Sequence, residues 1–158
     1  MRLSVLLATV CLMLGGCTGM NSMHSTRDAI VLSPDQIKWE DPPPGLPPGA
    51  KAALLEGDPS KPGMFTVRVK APANYVVPPH THPADEHVTV LSGSLYVGMG
   101  GTFDEMKSTK LPAGGFFVMP TGCQHFAYSR EETVIQIHGM GPWGITYVNP
   151  NDDPRKAK

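Results

Sequence analysis

Two histidines and a glutamate stand close together in the stretch PPHTHPADEH, with His80 and His82 two residues apart and Glu86 four residues further on. On a strand, residues two apart leave the same face, so both imidazoles can point to one side. Glu86 follows a short turn and can bring a carboxylate to the same cation. Imidazole suits Zn, Cu, Fe, Ni and Mn, and a carboxylate favours harder ions. Taken alone, the stretch is compatible with a metal site and equally with a histidine-rich surface turn.

A second stretch, GGFFVMPTGCQHFAYS, places one more histidine directly after a turn. An apolar strand leads into a turn containing Pro120 and Gly122, and His125 begins the next strand. Proline fixes one backbone dihedral and glycine permits a positive φ, so this turn sets the direction of the histidine. The second stretch therefore favours the metal site over the surface turn.

The first stretch resembles the first of the two motifs of the cupin superfamily, G(x)5HxH(x)3E(x)6G. His80, His82, Glu86 and Gly93 match it in every interval, and Asn74 stands in place of its leading glycine. Asparagine adopts left-handed backbone conformations more readily than most residues, so we expect the turn at this position to survive.

The second stretch resembles the second cupin motif, G(x)5PxGxxH(x)3N. Gly114, Pro120, Gly122 and His125 match it, while Ser129 stands where the family has asparagine. That departure affects a minor contact and not the metal ligands. The chain is thus similar to the small single-domain cupins, over about sixty residues directly.

The resemblance implies an all-β fold, a single jelly-roll β-barrel with little or no helix. It also implies one divalent transition metal (Fe, Mn, Ni or Zn) held by His80, His82, Glu86 and His125. Three neutral imidazoles and one carboxylate leave a net charge of about +1, and an octahedral ion keeps two positions open. Structural zinc sites are normally closed and rich in sulfur, so this ligand set favours an accessible site. A metal that only stabilises the barrel is the alternative.

Three further polar residues are candidates for the pocket wall. Gln136 and His138 share a strand face opposite to Ile135 and Ile137. If that face looks inward, they can orient a substrate, but a surface location is equally compatible with the pattern. Tyr96 is most simply explained by barrel packing, with pocket lining as the alternative.

The elements that must position these residues are short strands separated by turns. The segment FTVRVK alternates apolar and polar residues with period two, and seventeen glycines and seventeen prolines separate the apolar runs. Apolar runs on both sides of Ser92 and Gly93 predict a hairpin with a tight turn. We expect about nine or ten strands and no helix. Before them, Ile37 and Trp39 predict an edge strand within residues 30–40, and DPPPGLPPGA predicts a stiff extended connector.

The first residues predict export. Arg2 precedes an apolar run that is too short to span a bilayer, which is typical of a secretory signal. The sequence LGGC resembles the lipobox of bacterial lipoproteins, which implies lipidation of Cys17 and a position on the periplasmic face of the outer membrane. Ordinary cleavage, with a periplasmic protein and a free Cys17, is the alternative. We expect a signal peptide at 1–16, a tether at 17–29, the barrel at 30–150 and a polar tail at 151–158.

The net charge of the chain excludes some classes of binding partner. A formal net charge of −1 gives no basic excess for nucleic acid or an anionic membrane surface, so the membrane contact would be the lipid anchor alone. We expect a small-molecule ligand or substrate, and a homodimer stays open. The interpretation is an exported metal-binding cupin that acts as a dioxygenase, isomerase or decarboxylase on a small oxygen-bearing organic molecule. A non-catalytic ligand- or metal-sensing module of the cell envelope is the alternative, and the resemblance does not decide whether Cys123 has a role.

Overall fold

Ten short strands form the fold in the part of the chain that the structure describes. The computed structural model describes residues 28–42 and 44–156. The strands are β1 (Lys51–Glu56), β2 (Gly63–Ala71), β3 (Val76–Thr81), β4 (Glu86–Ser92), β5 (Ser94–Met99), β6 (Ser108–Pro112), β7 (Phe116–Met119), β8 (His125–Ser129), β9 (Thr133–Gly141) and β10 (Thr146–Tyr147).

The strands make two five-stranded antiparallel sheets that face each other. The first sheet has the order β1-β2-β9-β4-β7, and the second has the order β10-β3-β8-β5-β6. Within the described residues, the only helical segments are 3-10 turns of three residues each, and none is long or apolar enough to cross a membrane. The expected all-β fold with little or no helix is therefore confirmed for the described residues.

Alternating apolar residues place the core between the sheets. In β2, Phe65 and Val69 are buried, while Thr66, Arg68 and Lys70 on the opposite face are partly exposed. Burial of a side chain as large as that of a phenylalanine contributes roughly 2–3 kcal/mol. The period-two pattern seen in the sequence is therefore the pattern that selects the inner face.

The link at Ser92 and Gly93 does not close a hairpin, so that expectation is wrong. β4 pairs with β7 and β9 in the first sheet, whereas β5 pairs with β6 and β8 in the second. The chain turns a corner from one sheet to the other at Gly93, where φ is +71°. A Cβ at this position would collide with the carbonyl oxygen of Glu132. Glycine is therefore required by both backbone angle and space.

The segment before the barrel is not an edge strand. Residues 34–36 form a 3-10 turn, and only Glu40 pairs with the sheet, through a single bridge to Ala52. Pro34 lacks a backbone donor and the 3-10 turn interrupts the extended backbone, so no continuous ladder forms. Trp39 instead packs beneath the ammonium group of Lys70, which lies 4.5 Å from the ring centroid.

The proline-rich connector is fixed to the barrel by two tyrosine hydroxyls. Tyr75 donates to the carbonyl oxygen of Pro47 and Tyr147 donates to that of Gly45, both at 2.6 Å. The connector thus lies against the fold, and its residues Pro44, Gly45 and Leu46 line an interior cavity.

Candidate metal centre

Both sheets contribute to a cluster of three histidines and one glutamate. His80 lies in β3 and His125 begins β8, where the two residues are direct cross-strand partners in the second sheet. His82 follows the end of β3, and Glu86 begins β4 in the first sheet. One ring nitrogen from each histidine lies within 4.8 Å of the others. The fold therefore brings together the four candidate ligands that the two stretches of sequence predicted.

The Nδ1 atom of each of the three histidines has a backbone carbonyl oxygen as its partner. Nδ1 of His80 donates to the carbonyl oxygen of Pro78 at 2.7 Å, and Nδ1 of His82 donates to that of Gly144 at 2.7 Å. Nδ1 of His125 lies 3.1 Å from the carbonyl oxygen of Cys123. A carbonyl can only accept, so Nδ1 carries the proton and Nε2 presents a lone pair. This is the usual way in which a protein orients an imidazole ligand.

Glu86 completes the cluster with an ionised carboxylate. Its Oε2 lies 3.5 Å from Nε2 of His82 and 3.5 Å from Nε2 of His125. Burial raises the pKa of this carboxyl, but hydrogen bonds with His125 and His82, which need a proton or a cation at the histidine nitrogens, outweigh burial and lower the pKa to about 2. An anionic oxygen therefore faces the histidine nitrogens at neutral pH.

The histidine His80 stays neutral in this surrounding. Burial, and then the neighbouring His125 and His82, lower the pKa of His80 to about 3. A ring that resists protonation keeps its lone pair available, and a metal ligand must be neutral imidazole.

These groups fit a divalent transition ion. Nε2 of His82 is buried and has no hydrogen-bond partner. Several lone pairs that face one another without a donor between them are unfavourable unless a cation compensates them. Three nitrogens and one carboxylate oxygen suit Fe, Mn, Ni or Zn, and the set does not choose among them.

The two residues that depart from the motifs, Asn74 and Ser129, each have a defined place in the structure. Asn74 adopts a positive φ of 59°, the left-handed conformation expected where the family has glycine. Ser129 donates from Oγ to the carbonyl oxygen of Pro72 at 2.8 Å. The serine side chain therefore fastens the end of β8 to the loop before β3.

An interior cavity of about 340 Å³ adjoins the cluster. All four candidate ligands line it, and the rest of its wall is mainly aliphatic and aromatic. This size and this lining are typical of a site for a small molecule.

Three residues that the sequence offered for the pocket lie outside this cavity. Gln136 and His138 are on the outer face of the first sheet, because Ile135 and Ile137 take the inner positions of β9. Gln136 accepts from Nε of Arg68 at 3.0 Å. The surface location is thus the alternative that the structure shows for both.

His138 and Tyr96 have aromatic partners instead of cavity positions. The ring of His138 stacks on that of His87 with centroids 5.1 Å apart. Tyr96 stacks on Tyr128 at 4.7 Å, in a cluster that does not include the candidate ligands. Cys17 lies outside the described residues.

Trp143 is a site residue that the sequence analysis missed. Its ring stacks on the imidazole of His82 with centroids 4.4 Å apart and an interplanar angle of 17°, and it lines the cavity. Trp143 lies between β9 and β10, outside any strand, so no alternation of apolar and polar residues indicated the direction of its ring.

Cys123 is a partly buried free thiol, packed against the core. Its carbonyl oxygen, and not its sulfur, contacts His125. The structure therefore gives the thiol no place among the candidate ligands.

The fold consists of two facing antiparallel sheets, and three histidines and a glutamate converge beside its interior cavity. These features together define a protein of the cupin class. A family model described as the ChrR cupin-like domain matches residues 27–144. The chain therefore belongs to this family of the cupin superfamily.

Plant relatives and solved structures agree with this assignment. Germin-like protein 3-1 of Oryza sativa subsp. japonica is 37% identical over 81 residues, which are 51% of this chain and 36% of that protein. Germin-like protein subfamily 1 member 1 of Arabidopsis thaliana is 40% identical over 81 residues, or 49% of this chain and 37% of that protein. The chain thus spans less than half the length of the curated relatives it matches.

Among solved structures, the polyketide cyclase RemF of Streptomyces resistomycificus has a TM-score of 0.65 at 16% identity. The match covers 78% of this chain and 88% of that one. The salicylate 1,2-dioxygenase of Pseudaminobacter salicylatoxidans has a TM-score of 0.50 at 19% identity, over 61% of this chain and 28% of that one. At these identities the similarity concerns the fold alone.

Proposed function

We propose that the chain holds one divalent transition metal through His80, His82, Glu86 and His125. The observation that carries this proposal is the convergence of imidazole lone pairs and a buried carboxylate, with all three Nδ1 atoms already bonded to carbonyl oxygens. When bound, the metal would supply Lewis-acid or redox chemistry to an oxygen-bearing substrate. The protein's part is to fix the ligands and to shape a cavity beside them.

We further propose that the chain is an enzyme of the dioxygenase, isomerase or decarboxylase type, acting on a small oxygen-bearing organic molecule. The cavity next to the cluster supports this, since a purely structural site needs no adjoining cavity. Fold neighbours include a dioxygenase and a cyclase, which makes an enzyme consistent with the fold but does not choose the reaction.

A non-catalytic binding or sensing module is the second candidate. One observation favours it: among the described residues that line the cavity, no unengaged side chain other than the proposed ligands is suited to general acid or base catalysis. Tyr75 is the clearest example, because its hydroxyl donates to Pro47 and burial raises its pKa beyond the useful range.

One experiment separates the two candidates. Protein loaded with Fe, Mn, Ni or Zn is incubated with a panel of small enols, diketones and hydroxy acids, while oxygen uptake and product masses are recorded. Turnover that is lost in His82→Ala and retained in His87→Ala supports the enzyme. Saturable binding of a panel member without turnover supports the binding module.

We also propose that the chain is exported and anchored to the outer membrane through a lipidated Cys17. The support is the basic, apolar and small-residue order of the first seventeen residues.

A further inference from the structure

We propose that the cavity takes a molecule with an uncharged, apolar body and a single oxygen-donor head, which points to the four candidate ligands. This inference rests on the proposed metal site and names the class of molecule that the site accepts. The observation behind it is the distribution of polar groups on the cavity wall. The side chains that are free to bind a ligand lie at one end, with the four candidate metal ligands.

Strand register shows how the wall changes with distance from the ligands. The next inward residue after Glu86 in β4 is Val88, which pairs with Ile137, and Ile137 pairs in turn with Val67. After His125 in β8 comes Ala127, the cross-strand partner of Val77. All of these residues line the cavity, so the layer beyond the ligands is aliphatic on both sheets.

The following layer is also apolar. Val69 and Ile135 are cross-strand partners, and Leu95 faces Ser129 across the second sheet. All four line the cavity, and the hydroxyl of Ser129 is occupied by its bond to Pro72.

The remaining hydroxyl groups along the wall are occupied as well. Tyr75 donates to Pro47, Tyr128 bonds with Ser108 at 2.9 Å, and the hydroxyl of Ser60 donates to Asp58 at 2.7 Å. Among the described residues of this wall, Nε1 of Trp143 and Nε2 of His82 are the buried side-chain atoms without a hydrogen-bond partner, and the two rings stack on each other at the ligand end. A polar or charged body would therefore lose its water on entering and find no new side-chain partner in the aliphatic layers, which costs free energy.

Arg155 is the only lysine or arginine among the described residues of the cavity wall, and its charge is already compensated. Its Nε and Nη2 atoms donate to the two carboxylate oxygens of Asp153 at 2.7 and 2.8 Å. Nη2 also donates to the carbonyl oxygen of Ile145 at 3.1 Å. This arginine does not require a carboxylate from the bound molecule.

The net charge of the proposed metal site indicates the head group of the bound molecule, and the volume of the cavity indicates the size of its body. A divalent ion with three neutral imidazoles and one carboxylate carries a net charge of about +1, which one anionic oxygen donor neutralises. The cavity of about 340 Å³ corresponds to about eleven water volumes of about 30 Å³ each. A single aromatic ring or a short branched chain fits this space.

Three hydroxamates with one shared chelating head test the inference. Acetohydroxamate has a methyl body, benzohydroxamate a phenyl body and 4-carboxybenzohydroxamate a charged phenyl body. We expect calorimetry on the zinc-loaded full chain to show that benzohydroxamate binds at least about tenfold more tightly than either of the others. Equal affinities, or a preference for the charged body, would overturn the inference.

Filling the aliphatic layer supplies a matched variant. Ala127→Phe should weaken benzohydroxamate by about tenfold or more and leave acetohydroxamate and zinc content nearly unchanged, because Ala127 lies beyond the ligands. Thr89→Phe, on the outer face of β4, is the control and should change neither affinity. If Ala127→Phe does not fold, Ala71→Leu fills the same cavity from β2.

A metal-free arm separates failure of this inference from failure of the proposed metal site. Toluene should bind saturably to chelator-treated protein, detected by Trp143 fluorescence in a Trp39→Phe background, and the cavity-filling variant should abolish this binding. Toluene binding without any hydroxamate binding would leave the apolar body standing and reject the metal. Absence of toluene binding would reject the apolar body.

Discussion

The indole of Trp143 lies almost parallel to the imidazole of His82, with ring centroids 4.4 Å apart and an interplanar angle of 17°. The next residue, Gly144, accepts the hydrogen bond from Nδ1 of the same histidine. The segment between β9 and β10 therefore fixes both the plane and the proton of one proposed ligand.

Replacing Trp143 should consequently weaken the metal site. Residues that orient a ligand typically contribute a factor of 10–100 to metal affinity, so we expect Trp143→Ala to lower affinity for zinc by about tenfold. Competition with a chromophoric chelator measures the change. Trp39→Ala is the matched control, since Trp39 packs against Lys70 away from the ligands. Equal losses in both variants would show that stacking on His82 is not the cause.

Acid should destabilise the metal-free protein. In the unfolded chain His80 binds a proton below a pH of about 6.5, whereas in the folded chain burial keeps its pKa at about 3. Because the unfolded state holds more protons in this window, stability falls as the pH is lowered from about 6.5 towards 3, by on the order of 1.4 kcal/mol per pH unit.

Glu86 adds to this loss at lower pH. Its carboxylate is protonated near pH 4.5 when unfolded and near pH 2 when folded, so its contribution is present above 4.5 and lost below. Urea denaturation of chelator-treated protein at pH 7, 6 and 5 isolates the histidine. His80→Gln should flatten the dependence, and a wild-type protein equally stable at pH 7 and 5 would contradict the assignment.

At position 74, in the turn before β3, glycine should preserve the stability of the fold, and residues that disfavour a positive φ should reduce it. Asn74 has a φ of 59°, a conformation that costs most side chains about 1–2 kcal/mol. We expect Asn74→Ala to reduce the free energy of unfolding by about 1 kcal/mol and Asn74→Gly to leave it nearly unchanged. Urea denaturation with a constant slope measures both variants. A loss with glycine as large as that with alanine would mean that the side chain, and not the backbone angle, is what the turn needs.

Lipidation should depend on Cys17. Radiolabelled palmitate fed to cells that express the chain should label the wild type and not Cys17→Ala. Cys123→Ala is a suitable control, because Cys123 lies within the barrel and should leave the label unchanged. Equal labelling of the wild type and Cys17→Ala would reject the lipobox interpretation.

Much of the fold and of the proposed ligand set was predictable from local sequence. The alternation of Phe65, Val67 and Val69 with polar neighbours predicts a half-buried strand, and the motif intervals indicate His80 and His125 as ligands. These signals are local, because side-chain parity and turn geometry are properties of a few consecutive residues.

What could not be predicted depends on long-range pairing. A tight link at Ser92 and Gly93 suits a hairpin and equally a corner between sheets, and only the partners of β4 and β5 distinguish them. Parity placed Gln136 and His138 on one face without saying which face is the inner one. Trp143 is in no strand, so no period indicated its contact with His82.

Metal content tests the central claim most directly. Elemental analysis of the purified full chain should find about one divalent transition metal per molecule. His80→Ala and His125→Ala should each lose most of it, with a lower melting temperature, because metal binding contributes to folding stability. His87→Ala and His138→Ala, which change outward-facing histidines, should keep both values. A folded wild-type chain that takes up no metal on reconstitution, or equal loss in all four variants, would contradict the account.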